Sequence, residues 1–257
     1  MGDFPTFADD VKMFRTIRTV DDFCQLQQDI NLLFAWSKKW QLKFNISKCN
    51  WLHLGKLGEY VIDDTTITSC DVVRDLGIMI DNQLKFHNHT TTVSKKANRL
   101  LAVIHKTFQN FDHTTFINLY KSYIRPVLEY ANIIWGPQYI LDQEQIEKIQ
   151  RRATKLVQDL QNCTYNDRLT ALNLPSLKYR RLRGDMIMYY QLLQSHFSLD
   201  TSDLFTTATS STTRGHNYKL FKPRHVTSRL VAGGGSGRIA AKVDIVTDTE
   251  MIKRMLD

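Results

Sequence analysis

Phe4-Pro5-Thr6-Phe7-Ala8-Asp9-Asp10-Val11-Lys12-Met13-Phe14 places two adjacent carboxylates between two short apolar-rich runs. Runs of this kind pair across a tight turn, so a short β-hairpin is expected with Asp9 and Asp10 at its tip. Successive side chains on extended backbone point to opposite faces, which lets one carboxylate aim into a site while its neighbour supports it. Hard divalent cations, Mg2+ above all, take oxygen ligands of this sort and complete their shell with water and phosphate. A two-metal phosphoryl transfer requires several carboxylates converging from separate strands. Asp9 and Asp10 would supply two of them.

Two other Asp-Asp pairs show what such a dipeptide does without chemistry. Asp21-Asp22 precedes Phe23, Leu26, Ile30 and Leu33 at helical spacing, as a cap with a favourable dipole interaction would. Asp63-Asp64 lies between Tyr60-Val61-Ile62 and Thr65-Thr66-Ile67, which predicts a hairpin turn.

Outward from the first hairpin, residues 1–90 read as hairpin, helix and three short strands near Trp51 to Leu54, Tyr60 to Thr68 and Val72 to Ile80, an α+β pattern. From Thr91 the period becomes helical, with Val93, Ala97, Leu100, Leu101, Ile104 and Phe108 on one stripe. Phe116 to Tyr130 predicts a second helix that Pro126 would kink or break after Arg125. Gln143 to Leu160 and Tyr179 to Leu193 predict two more, and Trp135 and Tyr189-Tyr190 are expected in the core. Thr201 to Thr213 reads as a loop. Gly233-Gly234-Gly235-Ser236-Gly237 reads as a flexible linker.

The chain has 257 residues, 42% of them hydrophobic, enough for a real core in one extended or two small domains, and its net charge is +8. That charge is unevenly placed: residues 1–90 carry 10 basic and 12 acidic side chains, 91–195 carry 15 and 8, and 196–257 carry 9 and 6. Lys95, Lys96, Arg99 and Lys106 group on one predicted helix, Lys148, Arg151, Arg152 and Lys155 on another, and Lys178, Arg180, Arg181 and Arg183 on a third. An excess of this kind suits a surface that follows a phosphate backbone by releasing counterions. A solvated helical face would have the same composition.

Five segments in order carry a resemblance. Phe-Ala-Asp-Asp-Val-Lys-Met-Phe at 7–14 is followed by Leu42-Lys43-Phe44-Asn45-Ile46-Ser47-Lys48-Cys49 and by Val72-Val73-Arg74-Asp75-Leu76-Gly77-Ile78-Met79-Ile80-Asp81. Next come Leu119 to Ala131 with Trp135-Gly136-Pro137, and then Ile146 to Leu156 with Gln150-Arg151-Arg152-Ala153. Together they resemble the reverse transcriptase, an RNA-directed DNA polymerase, of non-LTR retrotransposons of the LINE type and Jockey-like sort, from its catalytic Asp-Asp strand onward to about Arg224. The resemblance implies a truncated palm at 1–90, with hairpin, helix and short antiparallel strands. A helical thumb-like region at 91–195 and a tail with a Gly-rich linker at 196–257 would follow.

It further implies that Asp9 and Asp10 carry Mg2+ and that Lys48 neutralises or protonates departing pyrophosphate. Leu76 and Gly77 would grip the primer, glycine permitting close approach. Lys95, Lys96, Arg99, Arg151, Arg152, Lys155, Arg180 and Arg181 would hold an RNA template and DNA primer. In the family the fingers and a first palm aspartate precede the Asp-Asp strand. Only six residues precede Phe7 here, so the chain is expected to be a C-terminal fragment inactive by itself. The alternative is a non-catalytic basic helical module that holds RNA or DNA, and a further one is a protein-interaction scaffold.

Other motifs point nowhere definite. His87-Asn88-His89 spells three letters of a nuclease signature without its surrounding pattern. Cys24, Cys49, Cys70 and Cys163 lack zinc spacing. Scattered cysteines without a signal peptide or a membrane-length apolar run suggest an intracellular chain, in nucleus or cytoplasm.

Overall fold

The computed structural model describes residues 6–7, 10–53, 58–108 and 111–194. These fall into two compact units that meet in sequence between Leu84 and Lys85. The expected tail at 196–257, with Thr201 to Thr213 and the Gly/Ser run, lies outside the described residues.

The first unit begins with β1 (Thr6–Phe7) and β2 (Asp10–Val11), an antiparallel pair in which Phe7 faces Asp10. A helix, α1 (Val20–Lys39), follows. Its start is written in a capping box: the Thr19 side chain accepts from the Asp22 N–H at 3.2 Å, and the Asp22 carboxylate accepts from the Thr19 N–H at 2.8 Å. Asp21 and Asp22 thus occupy the first turn, with Thr19 as the capping residue. Hydrogen bonds from the backbone of Arg18 and then from Thr19 hold the Asp22 carboxyl below its ordinary range.

After a 3-10 turn at Ile46–Lys48 come β3 (Asn50–Leu52), β4 (Val61–Ile62), β5 (Thr65–Thr66), β6 (Thr68–Cys70), β7 (Val72–Asp75) and β8 (Ile78–Asp81). β4 and β5 form a hairpin whose two turn residues are Asp63 and Asp64, both at positive φ, as the sequence predicts. β7 and β8 form a second hairpin, not one continuous strand, and Leu76 (φ 44°) and Gly77 (φ 87°) are its two-residue turn. β3 and β6 run parallel, Trp51 opposite Ser69, which corrects the expectation of antiparallel strands throughout. The β4–β5 hairpin intervenes between them, so the chain re-enters beside β3 in its original direction. The described strands make four two-stranded ladders and no single broad sheet.

The small core of this unit gathers aromatic rings. Tyr60 is buried, with its ring 4.8 Å from Phe23 of α1 and 5.3 Å from Trp51 of β3. Gln27 of α1 behaves like an extra strand residue at the edge of β4: its amide donates to the Val61 carbonyl at 2.8 Å and accepts from the Val61 N–H at 3.0 Å.

The second unit is helical. It comprises α2 (His87–Thr107), α3 (His113–Leu119), a π-helical turn at Tyr120–Ile124, α4 (Arg125–Glu129), α5 (Asn132–Trp135), α6 (Ile140–Thr154), a 3-10 turn at Gln158–Leu160, α7 (Tyr165–Ala171) and α8 (Leu177–Leu193). Pro126 does not end the second predicted helix. The wide turn before it, in which the Arg125 N–H reaches the Tyr120 carbonyl, shifts the bonding pattern so that the missing proline N–H falls at the start of α4.

The third predicted helix stops at Thr154 instead of Leu160, and α7 is a helix that the apolar pattern does not announce. Val93, Ala97 and Leu101 of the α2 stripe are buried beside Tyr120, Ile124, Leu128, Ile146 and Ile149, whereas Phe108 at its end is 38% exposed. Trp135 is fully enclosed and donates through Nε1 to the Tyr130 carbonyl at 2.6 Å. Tyr189 is buried, but Tyr190 on the opposite side of α8 is 57% exposed.

Candidate nucleic-acid interface

The predicted site residues separate between the units. Asp9 lies outside the described residues, and the backbone of Asp10 is in β2, in register with Phe7. Lys12, just beyond β2, reaches Asp75 at the end of β7 with Nζ 2.6 Å from Oδ1, both side chains about one third exposed. This ion pair ties the segment leaving the acidic hairpin to the strand that delivers Leu76 and Gly77. Leu76 and Gly77 themselves are exposed at a turn, both at positive φ. Lys48 ends the 3-10 turn and is exposed. Among the described residues, no three His, Cys, Asp or Glu side chains converge in a way that could hold a metal ion.

In the helical unit the basic groups have distinct surroundings. Lys95, Lys96 and Arg99 are exposed on α2. Arg152 is exposed at the end of α6 and donates through Nη1 to Asn98 of α2 at 2.9 Å. Arg180 of α8 is claimed by Glu129: its Nε bonds one carboxylate oxygen and its Nη2 the other at 2.7 Å. Its charge is balanced within the chain by this bidentate pair. Arg181 is half-buried on the same helix.

Lys148, Arg151, Arg152 and Lys155 line an open cleft of about 510 Å³ with Gln161, Asn162, Cys163, Tyr165 and Arg168. Arg168 was not singled out by the sequence. It is only 3% exposed and donates to Thr154 Oγ1 at 3.0 Å, to the Cys163 carbonyl at 2.5 Å and to the Arg151 carbonyl at 3.5 Å. The ring of Tyr165 lies 5.1 Å from the guanidinium carbon of Arg151 and 5.7 Å from that of Arg168. Its hydroxyl donates to Glu147 Oε1 at 2.5 Å, and burial first, then this bond, push the hydroxyl above its ordinary pKa.

Glu147 also accepts from the N–H groups of Leu177 and Lys178, both at 3.2 Å, so it serves as an anion at the start of α8. A signal for this corner was present in the sequence: Thr164-Tyr165-Asn166-Asp167 has capping-box spacing, and the Thr164 side chain does accept from the Asp167 N–H at 3.3 Å.

The nuclease-like triplet serves structure. His87 Nδ1 lies 2.5 Å from Asp142 Oδ2, and His89 is buried edge-on against Trp135, its pKa lowered by burial to about 4. All four cysteines are free. Among the described residues, no helix is long and apolar enough to cross a membrane.

Known proteins share this sequence at a distance. The chain is 24% identical over 160 residues to a probable RNA-directed DNA polymerase from transposon X-element of Drosophila melanogaster, a match that covers 59% of this chain and 18% of that protein. It is 24% identical over 208 residues to the RNA-directed DNA polymerase from mobile element jockey of Drosophila funebris, covering 74% of this chain and 22% of that one. An uncharacterised protein of Caenorhabditis elegans is 26% identical over 128 residues, 49% of this chain and 65% of its own. The chain thus spans about a fifth of the length of the two polymerases it matches. No family model matches it, and no solved structure does. The likeness that emerges is to RNA-directed DNA polymerases of two Drosophila mobile elements.

Proposed function

We propose that the chain is the part of a retrotransposon RNA-directed DNA polymerase that runs from the catalytic Asp-Asp hairpin through a helical, thumb-like region. The observation that carries this reading is the similarity to two mobile-element polymerases, one of them over 208 residues. The hairpin that holds Asp10, and the Lys12–Asp75 pair that anchors it to the Leu76-Gly77 turn, are compatible with a palm-derived first unit. On this reading Asp9 and Asp10 hold Mg2+ together with further oxygen ligands. Lys48 faces the leaving pyrophosphate, and the Leu76-Gly77 turn approaches primer backbone. An RNA template and DNA primer are the partners, held by the exposed cations of the helical unit.

The test is Mg2+ binding by the purified chain, with Mn2+ as a spectroscopic stand-in. Binding is expected to disappear in the Asp9→Asn, Asp10→Asn double variant with no change in circular dichroism. Undiminished affinity in that variant would reject the reading. Primer extension on an RNA template by the 257-residue chain alone is expected to be absent, because positioning and electrostatics supply most of such a reaction.

A second reading, a non-catalytic basic module for RNA or DNA, is favoured by one observation: the cationic cleft lies wholly within the helical unit. Salt-sensitive nucleic-acid binding with no carboxylate-dependent metal binding is the result expected of it.

A further inference from the structure

We infer that the cleft between the last turns of α6 and the first turn of α7 is a phosphate site for a single nucleic-acid strand. Arg168 is its fixed cation, and Lys148, Arg151 and Lys155 form its rim. The choice of nucleic acid as ligand rests on the proposed function; the need for an anion does not.

That need follows from charge. Arg168 is buried, and all three of its hydrogen-bond acceptors are neutral oxygens. Among the described residues, none of Lys148, Arg151, Arg152, Lys155 and Arg168 takes part in an ion pair. A buried cation without a counter-charge is costly. Here a second guanidinium, that of Arg151, shares the same Tyr165 ring. Glu147, bonded to that tyrosine, is committed to the start of α8 and holds the ring in place instead of neutralising the cleft. An anion entering from solvent would balance the excess, and the planar guanidinium fork matches phosphate oxygens.

A strand fits better than a free ion because the cleft shares a lining residue with a second hollow. Arg152 also lines a second hollow of about 470 Å³, together with Asn98, Leu101, Ala102, His105 and Leu156. Its apolar wall lies beside the first cleft and can receive a sugar or base, while Lys95, Lys96 and Arg99 stand exposed on the same helix α2. Phosphate contact followed by apolar contact is the pattern of sequence-tolerant single-strand binding.

The experiment is fluorescence anisotropy of a labelled 12-nucleotide single strand with the full chain, over a series of NaCl concentrations. Lys148→Gln, Arg151→Gln, Lys155→Gln in one protein is expected to weaken binding about tenfold or more and to lower the salt slope by about two to three. A comparator of equal charge loss, Lys39→Gln, Lys43→Gln, Lys121→Gln, is expected to change both far less. Equal effects of the two triples, or none from the first, would overturn the site. Arg168→Lys keeps the charge but loses the fork, and it is expected to weaken binding with its melting temperature checked alongside. Pyrophosphate is expected to compete only at millimolar levels; full displacement at micromolar levels would overturn the strand assignment in favour of a small anion. If the first triple loses binding while Asp9→Asn, Asp10→Asn leaves metal binding untouched, the cleft stands and the polymerase reading falls. The reverse result removes the cleft alone.

Discussion

Gly58 shows how much a single absent atom can decide. Its φ is 76°, and a Cβ built there would lie 2.3 Å from the Phe23 ring, the same ring that packs on Tyr60. Gly58→Ala must strain the backbone and push Phe23 away, and a loss of roughly 1–3 kcal/mol is expected in urea unfolding of the first unit. His89 supplies a pH dependence in the second. Its pKa is held down to about 4 against an ordinary 6.5, so the unfolded chain binds the proton first as the pH falls. The contribution is fully present above pH 6.5 and is lost between 6.5 and about 4, at up to roughly 1.4 kcal/mol per pH unit. Denaturation midpoints at pH 7 and pH 5 should show it, and His89→Phe should flatten the difference.

At the scale of elements, what was legible depended on whether the signal was local. The Asp63-Asp64 turn was legible because two adjacent turn-forming residues between β-branched runs leave little else to do. The stripe of α2 was legible through its period. The Leu76-Gly77 hairpin was not, because leucine rarely takes positive φ and the run from Val72 to Ile80 reads as one strand. The continuation past Pro126 depends on a wide turn that no residue pattern announces. α7 was within reach through its cap. Thr164→Ala is expected to cost about 1 kcal/mol of stability, and, by loosening the helix that carries Arg168, to reduce oligonucleotide affinity. Unchanged affinity at unchanged secondary structure would show that the arginine is held by Thr154 and the Cys163 and Arg151 carbonyls without help from the cap.

At the scale of the whole molecule, the sequence shows how many charges there are and the structure shows what surrounds each one. The excess of basic residues in 91–195 is visible by counting. The count cannot tell Arg180, balanced by Glu129, from Arg151, which faces a cleft. Helical spacing also omits Arg168, which reaches the cleft from another helix through tertiary packing.

The parallel pairing of β3 with β6 carries a kinetic corollary. The chain closes only the short loop that contains the β4–β5 hairpin to bring Trp51 beside Ser69, whereas the packing of α2 on α6 joins segments much farther apart in sequence. Loop-closure entropy grows with loop length, so the strand pair is expected to order ahead of the α2–α6 contact. In stopped-flow refolding, a variant that keeps Trp51 as its sole tryptophan should complete its fluorescence change before a variant that keeps Trp135 alone.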